Sequence, residues 1–368
     1  MNASAPVSPF RRLLAESGLG SSREPVDVIQ VGSILERSYD LTGRLQPLPT
    51  EKDDTFRLTT ESTDHLVKVS SPDEAQSVVG LQTAAMRFLE DAAPELPIQR
   101  VKLTVEGSDH VVLETAGRVR VMRVFDFVEG ALWAQTSPDV EQLAKVGEIL
   151  GRVDVALTGF AHPADRRGLA WNLRHFHDLT GLVEHTPNAA HRQLADKVFR
   201  LFEAAIVPRL NDLETQVIHG DYSPYNVVVD EGNDDFVVGV IDFGDAMRSA
   251  VIFDPAVALA NLVGRAPDQP WQAACAFAAG YERARPIKDR ELPLLPVAAL
   301  ARLTLRALIA NWRAGRVPER RDYLLAHAKD DWTNVERSMA VPMSDVIEQL
   351  WAGRAAVGSP SESGSGWS

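Results

Sequence analysis

In the stretch His219-Gly220-Asp221-Tyr222-Ser223-Pro224-Tyr225-Asn226 a carboxylate is followed five residues later by an amide. Ile241-Asp242-Phe243-Gly244-Asp245 then adds a second carboxylate at the start of a glycine turn. Phosphoryl transfer from a metal-bound nucleotide needs this combination. One acid orients the acceptor hydroxyl and takes its proton late, while an amide and an acid hold the ions that bridge the phosphates. Asp221 is the candidate catalytic acid. An aspartate ordinarily titrates at about 3.9, which suits positioning and late proton acceptance rather than outright deprotonation of an alcohol. Asn226 and Asp242 are the candidate metal ligands, two hard oxygens that leave room for water and phosphate, as magnesium prefers. Each alone is ordinary, an Asp after His-Gly or a capping residue of a turn. In register they point to phosphotransfer. His219, just before the loop, reads as a structural hydrogen-bonding residue rather than a base.

The elements around these residues must bring them together. Val227-Val228-Val229 and Val237 to Ile241, joined by the polar run Asp230 to Asp235, predict a hairpin with Asn226 and Asp242 at one end. Strand signals dominate from about Tyr39 to Val128. Thr55 to Thr60 pairs with His65 to Val69 over Ser62-Thr63-Asp64, and His110 to Glu114 pairs with Arg118 to Phe127 across Ala116-Gly117. Lys68, inside the second of these strands, would present an ammonium to the phosphate site. Ser71-Pro72-Asp73-Glu74 reads as a capping box opening a helix of about 18 residues, with Val78, Leu81, Ala85 and Leu89 as its apolar stripe. After Glu129-Gly130 the pattern turns helical: Ser137 to Leu157, Ala190 to Leu210, Trp271 to Arg283 and Leu292 to Gly315. The expected organisation is a flexible arm (1–25, with a short helix at Phe10 to Ser17), a β-rich lobe (26–128), a helical lobe (129–357) and a disordered tail (358–368). The fold class is α+β and bilobal.

Composition narrows the partners. A chain of 368 residues, 45% hydrophobic and 24% charged, can fill two cores. Its net charge of −13 argues against nucleic acid as a partner and is compatible with a cationic or zwitterionic small molecule. The single cysteine, Cys275, excludes internal disulfides and cysteine metal clusters and reads as a buried thiol. The N-terminal segment has no signal-peptide core, and no uninterrupted apolar run reaches the roughly 18 residues of a membrane span. No membrane is expected as a partner, and the cytoplasm is the expected compartment.

With these motifs the chain resembles the aminoglycoside-phosphotransferase/choline-kinase superfamily, which has the protein-kinase-like fold. Within it the chain is most similar to hydroxylysine-kinase-like phosphotransferases and to phosphotransferase domains fused to aminotransferases. The likeness spans roughly Gly43 to Trp332. Its segments include Glu51 to Phe56, Leu81 to Ala85, Phe160 to Pro163 with Trp171-Asn172-Leu173, Val240 to Asp245, and Phe253-Asp254-Pro255 through Ala260. The resemblance implies a small β-rich N-lobe, a larger helical C-lobe, magnesium, and ATP or GTP as donor. It implies Asp221 as acid/base, Asn226 and Asp242 on magnesium, and Lys68 and Thr55 on the nucleotide. The base would lie by Phe125 and Phe127 at the crossover between lobes. The acceptor would lie over Asp221, among Tyr222, Asp245 and Arg302. Asp221 and Asp245 would offer a negative rim to an ammonium group, and Arg302 would bind a carboxylate or form a structural salt bridge. Trp171 and Trp312 read as packing residues rather than substrate platforms.

Three departures from that family pattern stand out. Gly80 occupies the helix position of the family's acid that holds the phosphate lysine, so either Gln82 stands in by hydrogen bonding or Lys68 is held less firmly. Thr55 and Asn172 replace an Asn and an Asp. No G-x-G-x-x-G loop covers the phosphates, so Leu48 to Thr55 would do so with backbone N–H and hydroxyl groups. The expected activity is a small-molecule kinase acting on a hydroxylated amine, an amino acid or amino alcohol of the hydroxylysine kind. An aminoglycoside or macrolide phosphotransferase is the alternative enzyme. A nucleotide-binding pseudokinase or interaction module is the alternative of another class.

Overall fold

The computed structural model describes residues 9–17, 25–50, 52–115, 117–317, 321–326 and 328–358. Two helices, α1 (Pro9–Glu16) and α2 (Val28–Tyr39), precede the first strand. The first lobe then contains β1 (Arg44–Leu48), β2 (Asp54–Thr59), β3 (Asp64–Val69), α3 (Gln76–Ala92), β4 (Val101–Lys102), β5 (Val111–Thr115) and β6 (Arg118–Asp126). All pairings are antiparallel in the order β1-β2-β3-β6-β4, with β5 also paired to β6.

Successive side chains of a strand face opposite sides of the sheet, which divides β3 and β6 into two sets. Val67, Val69, Met122 and Val124 join Val31, Ile34 and Leu35 of α2 in one core. Leu66 and Phe125 face the other way and pack with Leu81, Ala85 and Leu89 of α3, continuous with the core of the second lobe. Lys68 and Arg123 are Cα partners across β3 and β6, two residues from the paired Leu66 and Phe125, so they share this second face.

The structure corrects several sequence-based expectations here. Helix α2 falls in a segment for which the residue pattern predicts no element. The arm is not wholly flexible, because Leu13 and Leu14 of α1 are buried and the Ala170 N–H donates to Ser17 Oγ at 2.7 Å. Residues 1–8, 18–24 and 359–368 of the arm and tail lie outside the described residues. The capping box does not form. The helix starts at Gln76 after Ala75, with no side-chain cap. Glu74 instead pairs with Lys52 and lies 4.0 Å from Arg167. An ion pair with two cations outcompetes one backbone donor for that carboxylate.

The second lobe begins with β7 (Ala131–Leu132) and α4 (Val140–Ala156), followed by a 3-10 stretch (Leu173–His185) and α5 (Ala189–Ala205). Short strands follow: β8 (Thr215–Ile218), β9 (Val227–Val229), β10 (Val237–Val240) and β11 (Met247–Ala250). Then come α6 (Phe253–Leu262), α7 (Gln272–Ala284), α8 (Leu295–Arg316), α9 (Arg321–Ala326), α10 (Asp331–Met339) and α11 (Met343–Gly358). Helices α4 and α7 meet at glycines: a Cβ on Gly280 would sit 1.8 Å from the Ala144 carbonyl oxygen, so nothing larger fits. Leu292–Arg316 is long and apolar enough to cross a membrane, but most of it is buried inside the protein. It is the central core helix, and its polar face lines the cleft.

Candidate active site

A cavity of about 960 Å³ separates the lobes. Its upper wall comprises Pro49, Thr50, Lys52, Asp53, Thr55, Lys68 and Arg123; its floor comprises Asp221, Asn226, Asp242 and Asp245. The segment before β2, predicted to cover phosphates, therefore does line this space.

The hairpin of β9 and β10 sets the floor. They pair antiparallel, and the Ile241 N–H donates to the Asn226 carbonyl at 3.0 Å, placing Asn226 and Asp242 side by side. Asn226 Nδ2 donates to Asp221 Oδ2 at 2.8 Å and to the Asp221 carbonyl at 2.9 Å. Its Oδ1 is left as the atom for a cation. Asp242 adopts a left-handed conformation (φ 60°) and accepts the Gly244 N–H at 3.1 Å, while its Oδ2 lies 2.8 Å from Lys68 Nζ. Asp221, Asn226, Asp242 and Lys68 thus converge on one cleft.

The loop that carries Asp221 is fixed from below. His219 is fully buried, and Asp254 accepts the His219 and Gly220 N–H groups at 2.8 and 2.9 Å. The His219 ring bridges the Ile241 carbonyl (Nε2, 3.1 Å) and the Asp221 N–H (Nδ1, 3.3 Å), which fits a proton on Nε2. Gly220 has φ 79°, and a Cβ there would lie 2.4 Å from the Asp245 carbonyl oxygen, so the loop requires glycine. Asp254 belongs to the Phe253-Asp254-Pro255 segment visible in the sequence. Its partners are 34 and 35 residues away along the chain, so only the fold reveals its role.

Electrostatics differ between the two carboxylates. Burial pushes Asp221 up to about 6, and the nearby Asp245 and Asp242 add to this, although Arg302 pulls it down. Burial would also raise Asp242, but Lys68 and the Gly244 N–H override it and bring the carboxyl down to about 2. Arg302 Nη2 sits 3.2 Å from Asp221 Oδ1, and the guanidinium stacks 4.4 Å over the Trp171 ring. Arg302 is thus a salt-bridge partner of Asp221. Trp171, expected only to pack, also lines the cleft.

Several expectations fail on geometry. Tyr222 is fully buried and donates its hydroxyl to the Val146 carbonyl at 3.0 Å, so it cannot touch an acceptor. Phe125 is a core residue, and Phe127 carries the Arg57 guanidinium 4.0 Å over its ring; neither side chain lines the cleft. The pleat turns Phe125 towards α3, and Phe127 lies just past the end of β6. Gln82 does not hold Lys68: its Oε1 accepts from Arg123 Nη1 at 2.9 Å. Asp245 remains on the cleft, 3.7 Å from Arg167, so part of its charge is offset. Thr55 lines the cleft with a buried hydroxyl that has no hydrogen-bond partner among the described residues, leaving a donor for a ligand. Cys275 is half-buried, and burial pushes its thiol up to about 11.

Among the described residues no three His, Cys, Asp or Glu side chains gather as a closed metal cage. The Asn226 and Asp242 side chains, carried by neighbouring backbone at the hairpin end and lining the cleft, offer hard oxygen donors of the kind a divalent cation takes together with water.

A β-rich lobe, a helical lobe and this acid–amide–acid floor define a protein-kinase-like phosphotransferase acting on hydroxyl acceptors. Residues 44–287 match the phosphotransferase enzyme family, and the chain belongs to that family. It is 23% identical to mouse (Mus musculus) hydroxylysine kinase over 350 residues, covering 88% of this chain and 91% of the relative. It is 30% identical to a Rhodospirillum rubrum homoserine kinase over 258 residues, covering 66% and 72%. Among solved structures, a microcompartment-associated aminopropanol kinase superposes with a TM-score of 0.69 at 18% identity, covering 88% of this chain and 100% of that one. An amicoumacin kinase bound to AMP-PNP and Ca2+ gives 0.65 at 14% identity, covering 86% and 95%.

Proposed function

We propose that this kinase transfers the γ-phosphoryl group of ATP or GTP, bound with magnesium, to a hydroxyl of a small amino acid or amino alcohol of the hydroxylysine kind. The observation that carries the reading is the convergence of Asp221, Asn226, Asp242 and Lys68 on one interlobe cleft. Similarity to hydroxylysine and homoserine kinases along most of the chain supports the acceptor class. A cytoplasmic site of action fits the single free thiol.

The chain's residues divide the work. Asp221 orients the acceptor hydroxyl in line with the phosphoryl group and takes its proton as the new O–P bond forms. Arg302 and Asn226 fix the two carboxylate oxygens, so the acid is aimed before the acceptor arrives. Lys68 has Asp242 as its partner and gains a competing anion when phosphate enters. Bound magnesium, held by Asn226 and Asp242, would supply charge neutralisation along the phosphates.

The far wall of the cleft bears on the acceptor. Besides Arg302, which Asp221 already pairs, it carries Arg265, Arg306, Arg337 and Lys329, opposed chiefly by Asp330 and Asp331. Arg306 is committed to Asp331 through two bonds of 2.9 and 2.7 Å. The excess of cations favours an acceptor with a carboxylate and disfavours a polycationic aminoglycoside. The test is transfer of labelled phosphate to a hydroxyamino acid, its decarboxylated amino alcohol and an aminoglycoside, with Asp221→Ala as control. The amino acid should give the highest kcat/KM. Preference for the aminoglycoside would defeat the assignment, and no transfer by the wild type to any hydroxylated amine would defeat the reaction.

A further inference from the structure

Arg123 lies in the upper wall of the cleft and is almost fully buried, 2% exposed. Its compensation is incomplete. Nη1 donates to the neutral Gln82 amide at 2.9 Å and is 3.5 Å from the Thr83 hydroxyl; the nearest carboxylate, Asp53, is 3.8 Å from Nη2. Nε is buried and makes no hydrogen bond among the described residues. Burying a guanidinium is costly unless an anion and full hydrogen bonding offset it, and here neither is complete. Burial lowers the Arg123 pKa, against the upward pull of Asp53 and Asp242.

Lys68 stands directly across the ladder from Arg123. Two cations opposite each other on one sheet face repel, so an anion that reaches both is favoured there. Asp242 serves Lys68 at 2.8 Å, and α3 contributes no carboxylate to either cation. A Cβ at Gly80 would meet only His162 Nε2, at 3.8 Å, so no side chain fills that space from the helix. Gln82 spans the gap differently. Its Oε1 holds Arg123, and its Nε2 reaches the Gly244 carbonyl at 3.4 Å, in the turn that follows Asp242.

We propose that Arg123 is a second phosphate-binding cation beside Lys68, and that Gln82 positions it by tying β6 and α3 to the Asp242-Gly244 turn. This rests on the reading of the cleft as a nucleoside triphosphate site. The incoming anion completes the charge balance that Gln82 and Asp53 leave open. Helix α3 is thereby coupled to the phosphates through a neutral amide and an arginine, with no acid in the link.

Calorimetric titration of the full chain with ATP and GTP in magnesium, and with adenosine and guanosine, tests the assignment. The readout is the ratio of triphosphate to nucleoside affinity, which a purely structural arginine would leave unchanged. Arg123→Met should lower that ratio by roughly tenfold or more, as loss of a charge-assisted hydrogen bond implies. Arg123→Lys, which keeps the charge, should lower it less. Gln82→Glu, which neutralises the guanidinium in place, should also lower it. If Arg123→Met does not fold, the other two variants decide. An unchanged ratio in every folded variant overturns the proposal while leaving the kinase reading intact. Failure of the wild type to bind either triphosphate overturns both.

Discussion

Asn226 Nδ2 lies 2.8 Å from Asp221 Oδ2 and 2.9 Å from the Asp221 carbonyl, so a single amide closes the loop on the candidate catalytic acid. The same residue receives the Ile241 N–H and stands beside Asp242. Its nitrogen serves the acid and its oxygen is left for a cation. Neither duty can be removed without disturbing the other.

This pairing separates binding from transfer. Asp221→Ala should keep magnesium-dependent stabilisation by nucleotide in a thermal melt while transfer falls by roughly a thousandfold, the scale of losing a positioned acid/base with its electrostatic role. Asn226→Ala and Asp242→Ala should lose the magnesium-dependent part of that stabilisation. Equal loss in all three variants would contradict the division of roles.

The two carboxylates have opposite pH signatures. With Asp221 near 6 in the free protein, kcat/KM should fall about tenfold per unit below that value and level off above it. Arg302→Gln removes the attraction that favours the carboxylate, so the acidic limb should move to higher pH. Stability follows the same shifts. Folding raises Asp221 from 3.8 to about 6, so the folded state binds more protons in that window and Asp221's contribution declines as pH rises through it. Asp242, held at about 2, contributes stability above 3.8 that is lost as pH falls towards 2. Urea titrations of Asp221→Asn against the wild type, across about pH 3 to 7, check the sign.

Tyr222 is a packing residue despite its place next to Asp221. Tyr222→Phe removes one buried hydrogen bond, to Val146, and should cost about 1 kcal/mol in urea unfolding. Acceptor KM should stay the same. A several-fold rise in KM without loss of stability would restore Tyr222 to the acceptor site.

Asp254 is the support that the loop cannot lose. Asp254→Ala would strand two buried N–H groups, those of His219 and Gly220, at about 1–3 kcal/mol each. Both stability and transfer should drop together, since Asp221 follows directly in the chain. Full activity in a destabilised variant would mean that the loop holds its shape without this acid.

The legible part of this protein was local. Strand alternation marked β2, β3 and the β5–β6 hairpin, and apolar spacing marked α4, α5, α7 and α8, because each pattern reports a face that must be buried. Asp221, Asn226 and Asp242 could be selected because their spacing and the hairpin between them are written in one stretch of chain. A capping box was also legible at Ser71 to Glu74, yet it does not form, because Lys52 and Arg167 take the carboxylate.

What the tertiary structure decided were partnerships between distant segments. Arg302 meets Asp221 across 81 residues, Gln82 reaches Arg123 across 41, and Asp254 reaches back to His219 across 35. The direction in which a side chain is buried was decided there too, as Tyr222 and Phe125 show. Periodicity and residue type record what a segment prefers in water. Long-range ion pairs and burial depend on which other segments arrive, and no local pattern encodes that.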